Sequence, residues 1–477
     1  MTPSQSRPVF PSASLCVHLR LNILVLPVLG LLLSACNSAI APGFEIESQR
    51  VTFIYSETAA DRVHVAADFR MKNVGNADLS QLTVILPNGQ AWGRLNLHVT
   101  FDKAELEIPG SDDTRRSEFR IPLKAPWGIG MKAELHIEYD LGTDSEIPGD
   151  LQFPRGWLPT LVKPQGLLAR GAPWADDTRI FVRGPKGFRI LAGPQGQVGE
   201  SDIQFRLRAG DFDPSVVIGP YLEQKVHTPT GTVVFWTLKP LSVDRAQRAG
   251  AILAAVSHSY ESLFGPQTKK DTPAYFIQAS QWLESAPPAA DFYAVPRMVI
   301  LNSSAFALGV DSDSFLRLAE AWLARTWMGG LVSVSASSFR EISLEEAIIE
   351  HAQYVAHGER GRKDIINGLL GDYERVSRQF PENPISANWS AGAVEAQHNL
   401  MRNKSQLFLL ALEDKIGKEA LRRGLRRMVQ ARRGLDWSIN DFRSALELES
   451  GQNLAEFFRV WLYQPGIPDD FRRYAQP

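Results

Sequence analysis

The hydrophobic periodicity of the chain changes at Pro240. Upstream of it, apolar and polar residues alternate with period two and are punctuated by Gly and Pro turns, which is typical of β-strands. Strands are predicted at 63–69, 82–86, 95–99, 118–121, 132–139, 179–182, 188–193, 203–207 and 233–236. Downstream, 246–264 has helical spacing and ends at Gly265-Pro266, and 314–468 is mostly helical. The pattern predicts an α+β multidomain chain: an N-terminal antiparallel β-sandwich or saddle-shaped sheet, then a mainly helical domain.

Composition narrows the function classes. The 477 residues are 44% hydrophobic and 22% charged, which is typical of folded domains and argues against disorder. The length suits two to four domains, each with its own core. The net charge of -2 gives the chain no general attraction for nucleic acid, so no nucleic-acid partner is expected.

Both cysteines, Cys16 and Cys36, lie near the N-terminus, so the body of the chain has no thiol for a disulfide, a metal or nucleophilic catalysis. Residues 21–35 read LNILVLPVLGLLLSA, an apolar run that fits a secretory signal better than a membrane span. The segment Leu33-Ser34-Ala35-Cys36 resembles a bacterial lipobox, which implies lipidation at Cys36. The alternative is a plain signal peptide with a chance cysteine.

Two acyl chains on one cysteine would anchor the chain stably. Asn37 follows Cys36 where an Asp would be the usual signal for retention in the inner membrane. We therefore expect a lipoprotein of the cell envelope, on the outer membrane and facing the periplasm. Its expected organisation is a signal peptide at 1–35, a tether at 36–45, a β domain at 46–225 and a second domain at 226–477.

Five segments read FVRGPKG at 181–187, YESLFGP at 260–266, WSINDF at 437–442, SGQNL at 450–454 and FFRVWLYQPGIP at 457–468. Together they resemble the aminopeptidase N family of zinc peptidases, which are gluzincins. The last three are the most specific. The resemblance implies an N-terminal β domain of the aminopeptidase type, followed by a thermolysin-like catalytic domain.

The zinc motif of that family, H-E-x-x-H followed by W-W-G, is degenerate here. Aligning Trp327-Met328-Gly329 with W-W-G places Ala321 and Arg325 at the two histidine positions and Trp322 at the catalytic glutamate. Alanine has no donor atom, arginine is cationic, and tryptophan accepts no proton. Glu346 keeps the position of the third ligand. Arg325 is expected to pair with Glu346 in a buried ion pair; alternatively, both face water.

Other catalytic elements are also changed. Arg402, in Arg402-Asn403-Lys404-Ser405, stands at the position of the family's catalytic tyrosine, and 293–301 lacks the M-E-N strand motif. His351, His357 and His398 lack metal-ligand spacing and are expected at the surface or at helix caps rather than at a relocated zinc site. No G-x-S-x-G is present, which argues against a serine hydrolase. Arg422, Arg423, Arg426 and Arg427 share a helix face that either faces solvent or contacts anionic lipid.

The favoured hypothesis is a pseudoenzyme: an inactive, lipid-anchored, peptidase-like protein that binds peptides or a protein partner and needs no metal or other cofactor. The alternative is an active metallopeptidase with non-standard ligands, for which zinc would be the cofactor. A third hypothesis is an assembly factor that docks other envelope proteins.

Overall fold

The computed structural model describes residues 43–55, 62–87, 94–110, 117–142, 150–153, 157–162, 177–193, 197–207, 214–267, 272–279, 292–334, 339–358, 361–382, 391–469 and 471. The expected signal peptide and Cys36 lie outside these residues. Among the described helices, none combines the length and the apolarity needed to cross a lipid bilayer.

The upstream part is built from β-strands. Its largest sheet has seven strands in the order β13-β10-β1-β2-β7-β4-β5. Three further strands form one small sheet, β6-β3-β9, and four form another, β12-β11-β14-β8. The bounds are β1 Phe44–Tyr55, β2 Arg62–Asn73, β3 Leu79–Ile85, β4 Arg94–Phe101, β5 Ala104–Glu105, β6 Glu118–Trp127, β7 Lys132–Gly142, β8 Leu151–Phe153, β9 Thr160–Val162, β10 Thr178–Arg183, β11 Arg189–Ala192, β12 Gln197–Glu200, β13 Asp202–Leu207 and β14 Val216–Gly219.

Alternation along these strands builds one core between the sheets. In β2 the buried apolar side chains are Val63, Val65, Ala67, Phe69 and Met71, all on one face, as period two requires. This face joins residues of all three sheets in one apolar cluster. The sheet is not purely antiparallel as predicted, because β1 pairs with β10 in parallel. A parallel pair needs a long connection, and more than 120 residues separate these two strands.

The downstream part starts with a five-stranded sheet of order β15-β16-β17-β19-β18. Its strands are β15 Leu222–Thr228, β16 Gly231–Thr237, β17 Ala274–Ala279, β18 Phe292–Val295 and β19 Met298–Asn302. The segment 233–236, predicted to close the upstream β region, lies in β16 and pairs with β17 in this second sheet. The expected boundary at 225/226 falls inside β15, which pairs with β16 along its whole length.

Helices pack against this sheet and form the rest of the part. They are α1 Val243–Phe264, α2 Ser303–Ala307, α3 Asp313–Arg325, α4 Phe339–Ala356, α5 Arg362–Ser377, α6 Ala391–Ile416, α7 Lys418–Ala431, α8 Ile439–Ser450 and α9 Ala455–Phe458, with a π-helical turn at Arg459–Tyr463. Two short strands, β20 Ser333–Val334 and β21 Asp436–Trp437, pair in parallel. The prediction of a mostly helical region after 314 is confirmed.

In the downstream segments that resemble the peptidase family, large aromatic side chains pack into the interior of this part. Trp327 is fully buried, contacts the rings of Tyr260 and Phe264, and donates its indole N–H to the carbonyl oxygen of Gly265 at 2.8 Å. Phe458 and Trp461 pack against Phe408 in the same apolar cluster. The aromatic residues of the retained signature are therefore packing residues.

Candidate functional site

Helix α3 carries the three positions at which the family would hold zinc and its catalytic base. The Ser312 side chain caps its N-terminus by accepting a hydrogen bond from the Phe315 N–H. Phe315, Ala319 and Leu323 are buried and fix the rotation of the helix. Ala321 and Arg325, four residues apart, consequently share another face of the helix.

Arg325 reaches the glutamate of the neighbouring helix. Its Nη2 lies 3.9 Å from Glu346 Oε1, at the limit of an ion pair. The guanidinium also stands over the Trp322 ring, 5.0 Å from the ring centroid, in cation–π geometry. The expected pairing of Arg325 with Glu346 is present. Its burial was overestimated, because the two side chains are 32% and 22% exposed.

His398 of α6 also contacts Glu346, a contact that the sequence analysis did not predict. His398 Nε2 lies 3.2 Å from Glu346 Oε2. Contact with the carboxylate raises the pKa of His398 above its ordinary value, against the effect of its burial. Burial alone would raise the pKa of Glu346, but His398, Arg325 and Arg402 together hold that pKa below its usual value. Glu346 is thus an ionised carboxylate in contact with side chains of two other helices, Arg325 of α3 and His398 of α6.

Arg402, at the expected tyrosine position, does not act on Glu346 by direct contact. Its Nε donates to Glu350 Oε1 at 2.8 Å, and its Nη2 contacts the same oxygen. Burial raises the pKa of Glu350 although Arg402 opposes the shift. Where α3, α4 and α6 meet, Glu346 therefore lies between Arg325 and His398, and Glu350, four residues further along α4, pairs with Arg402.

The side chains present do not fit a catalytic zinc. Such a site uses three protein ligands with nitrogen, sulfur or oxygen donors. Ala321 and Trp322 offer no donor, and Arg325 is a permanent cation that would repel a dication. Glu346 and His398 make two donors, and among the described residues no group of three His, Cys, Asp or Glu has metal-binding geometry. The guanidinium of Arg325 supplies positive charge to Glu346 that a metal would otherwise supply.

Glu345, next to the third-ligand position, is a buried carboxyl that sequence reasoning missed. It is 8% exposed, and its Oε1 would be 3.4 Å from a Cβ placed on Gly329. Burial raises its pKa to about 7, against the opposing effects of Arg325 and the Val334 backbone. Glu345 is therefore partly protonated at neutral pH. No signal in the sequence distinguishes it from Glu346.

The other histidines do not converge on this site. His351 is buried, contrary to the expected surface or cap position, and burial lowers its pKa to about 4. Its Nε2 lies 3.5 Å from the buried Glu413. His357 is exposed and lies 2.8 Å from the buried Glu320. His351 and His357 thus contact two different carboxylates. Neither adds a donor to Glu346 and His398, so they do not support a relocated zinc site.

Lys404, two residues after Arg402, holds the C-terminal signature in place. It is 3% exposed and donates to Glu382 at 2.9 Å and to the carbonyl oxygen of Gln464. Glu382 accepts from the Gly466 N–H at 2.9 Å. Lys404 is thus a structural residue.

The arginine face of α7 is engaged within the protein. Arg422 and Arg426 contact Ser262 of α1, and Arg423 and Arg427 contact Glu449 of α8. These contacts tie three helices together. The sequence predicted that this face either faces solvent or contacts anionic lipid; its four arginines instead contact the neighbouring helices.

Comparison with known proteins identifies the class of fold. Solved structures of zinc metallopeptidases of the M1 class match the chain over both its parts. The structure of the M1 zinc metallopeptidase from Deinococcus radiodurans covers 90% of this chain and 96% of its own, with a TM-score of 0.56 and 15% sequence identity. The chain therefore has an M1-like two-part fold, with a β-rich N-terminal region and a helical C-terminal region.

Two further structures of the same bacterial enzyme give equivalent matches. A point mutant matches with a TM-score of 0.57, 14% identity, and coverage of 89% of this chain and 96% of the enzyme. The same mutant bound to the substrate Tyr-Ser-Ala matches with a TM-score of 0.56, 14% identity, and coverage of 89% and 95%. No family model matches the sequence, and no curated protein matches it significantly.

Proposed function

We propose that this chain is a lipid-anchored envelope lipoprotein that uses an M1-peptidase-like scaffold to bind peptides or a protein partner, without hydrolysing them. The observation that carries the proposal is the position of Arg325, whose guanidinium stands 3.9 Å from the carboxylate of Glu346. A permanent cation at a metal-ligand position opposes a dication at the same place.

Loss of the catalytic base supports the same conclusion. Trp322 takes the place of the glutamate that would activate water, and its ring lies under the Arg325 guanidinium. Arg402 takes the place of the tyrosine and is held by Glu350. Metal-assisted hydrolysis needs an activated water and stabilisation of the tetrahedral intermediate, and neither is supplied at these positions by the residues present.

Hydrolysis of the tripeptide Tyr-Ser-Ala tests this part of the proposal. The purified full-length chain is incubated with the tripeptide in the presence of zinc, and product release is compared with and without a chelator. The metallopeptidase from Deinococcus radiodurans serves as the positive control. We expect no hydrolysis above that of a protein-free sample. Hydrolysis that the chelator abolishes would support the alternative of an active metallopeptidase with non-standard ligands.

The anchor at Cys36 is tested separately. Cells expressing the chain are fed a radiolabelled or alkyne-tagged fatty acid, and label on the protein is measured. We expect labelling in the parent protein, its loss in Cys36→Ser, and no change in the matched control Cys16→Ser. Label retained by Cys36→Ser would remove the lipoprotein assignment and leave the scaffold proposal intact. Fractionation of the labelled cells tests the expected outer-membrane location.

A further inference from the structure

A cavity lies beside the positions that the resemblance assigns to zinc. It is a cavity of about 720 Å³ between helices α4, α5 and α6, and Arg317 of α3 also lines it. Glu350 and Arg402 form the wall that it shares with the site described above. A cavity of this size lies within the range of small-ligand pockets.

One wall of the cavity is a row of amide side chains. Asn399, Asn403 and Gln406 of α6 lie at i, i+4 and i+7, and all three line the cavity. Among the described residues no hydrogen bond engages these three side chains. Asn399 and Asn403 are about 6 Å apart along the helix axis. Two residues of an extended peptide span about 6.6 Å, so successive backbone amides on one edge of such a peptide match this spacing.

A second wall, formed by helix α5, is partly apolar and incompletely covered. Helix α5 has 16 residues but only one of them, Tyr373, is fully buried. Its Ile365, Leu369 and Val376 line the cavity, and Ile365 is 37% exposed. Apolar surface left open in this way favours an occupant with apolar side chains.

Within the described residues, one cation of the cavity, Arg317, has no ion-pair partner. Of its three arginines, Arg402 pairs with Glu350, and Arg375 pairs with Asp372 at 3.2 Å. Arg317 is exposed and has no carboxylate within ion-pair distance in the described parts of the chain. His351 adds no charge at neutral pH, because burial lowers its pKa to about 4. Arg317 can therefore take a carboxylate from a ligand.

We propose that this cavity binds a short extended peptide with a free carboxyl group, its backbone on Asn399, Asn403 and Gln406, its side chains against α5 and its carboxylate on Arg317. The inference rests on the proposed role as a binding scaffold and deepens it by naming the ligand class and the site. The peptide lies beside the Arg325–Glu346 pair rather than upon it.

A pool of randomised tripeptides with free carboxyl groups is the probe. The full-length chain is incubated with the pool in the presence of a chelator, separated by gel filtration, and the retained peptides are counted by mass spectrometry. We expect retention of free-acid peptides and at least tenfold lower retention of the matching carboxamide pool. Asn403→Leu and Arg317→Ala should each reduce retention about tenfold, and Asn403→Gln should restore part of it.

Two control variants locate the binding. Arg378→Ala removes an exposed arginine of the same region that does not line the cavity, and it should leave retention unchanged. Arg325→Ala should also leave it unchanged. No retention by the parent chain, or equal retention by the Asn403 and Arg317 variants, overturns the inference. Loss of retention in Arg325→Ala alone would place the peptides at Arg325 and Glu346. That result would overturn this inference and leave the proposed function intact.

Discussion

The two faces of helix α3 and the turn after it differ in what they keep of the peptidase pattern. On the packed face, Trp327 is fully buried against Tyr260 and Phe264. On the polar face, Ala321 and Arg325 stand where metal ligands would be. This difference indicates that the M1-like fold depends on the aromatic packing and not on metal-ligand chemistry at these two positions, because burial of large side chains supplies most of the folding free energy.

The largest expected loss of stability comes from truncating Trp327 on the packed face of α3 and the turn after it. Trp327→Ala removes a fully buried indole and its hydrogen bond to Gly265. We expect the free energy of unfolding to fall by about 4–5 kcal/mol. Thermal and urea unfolding of the purified variant measure it. A loss below about 1 kcal/mol would contradict the claim that this packing holds the fold.

A slightly smaller effect is expected at the buried ion pair that holds the C-terminal signature. Lys404→Met leaves Glu382 as a buried carboxylate without its cation, at a cost of about 3–4 kcal/mol. The double variant with Glu382→Gln should recover part of the loss. Equal stability of the single variant and the parent would show that Lys404 does not anchor Gln464 and Gly466.

The buried carboxyl of Glu345 should make the free energy of unfolding depend on pH. Because its pKa is about 7 in the folded chain and 4.5 in the ordinary case, the folded state binds more protons between these values, and stability falls as the pH rises through this window. The displacement corresponds to about 3 kcal/mol. Glu345→Gln should therefore match the parent near pH 4.5 and exceed its stability at pH 8. Parallel stability curves for the two proteins would contradict this assignment.

The smallest effect is expected on the polar face itself. Arg325→Ala breaks a pair whose side chains remain about a quarter to a third exposed. Such pairs contribute little, so stability should change by less than about 1 kcal/mol. Urea unfolding at low and high salt checks this. A loss of stability as large as that of Trp327→Ala would mean that the Arg325–Glu346 pair is part of the structural core.

The sequence predicted some of these features because their signals are local. The alternation from 63 to 69 and the helical spacing from 246 to 264 define β2 and α1 with small errors at the ends. The Arg325–Glu346 contact was predictable because the resemblance aligns both residues to a common site. The fold class itself is borne out in its coarse form by the M1-like structures.

Other features depend on how distant segments pack, which no local pattern records. His398 lies 52 residues from Glu346, and only the placement of α6 beside α4 brings them to 3.2 Å. The parallel pairing of β1 with β10 and the transfer of β16 to the second sheet are likewise matters of topology. The polar residues around His351 in the sequence predict an exposed position. In the structure His351 is buried and contacts Glu413 of α6.

Zinc binding by the parent chain and by a variant with two introduced histidines tests whether the positions of Ala321, Arg325 and Glu346 hold a metal in this protein. In Ala321→His with Arg325→His, two imidazoles four residues apart would join Glu346, giving three ligands on the faces of α3 and α4 that meet at this site. Competition titration against a zinc-sensitive dye measures both proteins. We predict stoichiometric zinc in the double variant and none in the parent. Tight binding of one zinc per parent chain, lost when Glu346 is replaced by Gln, would contradict the account.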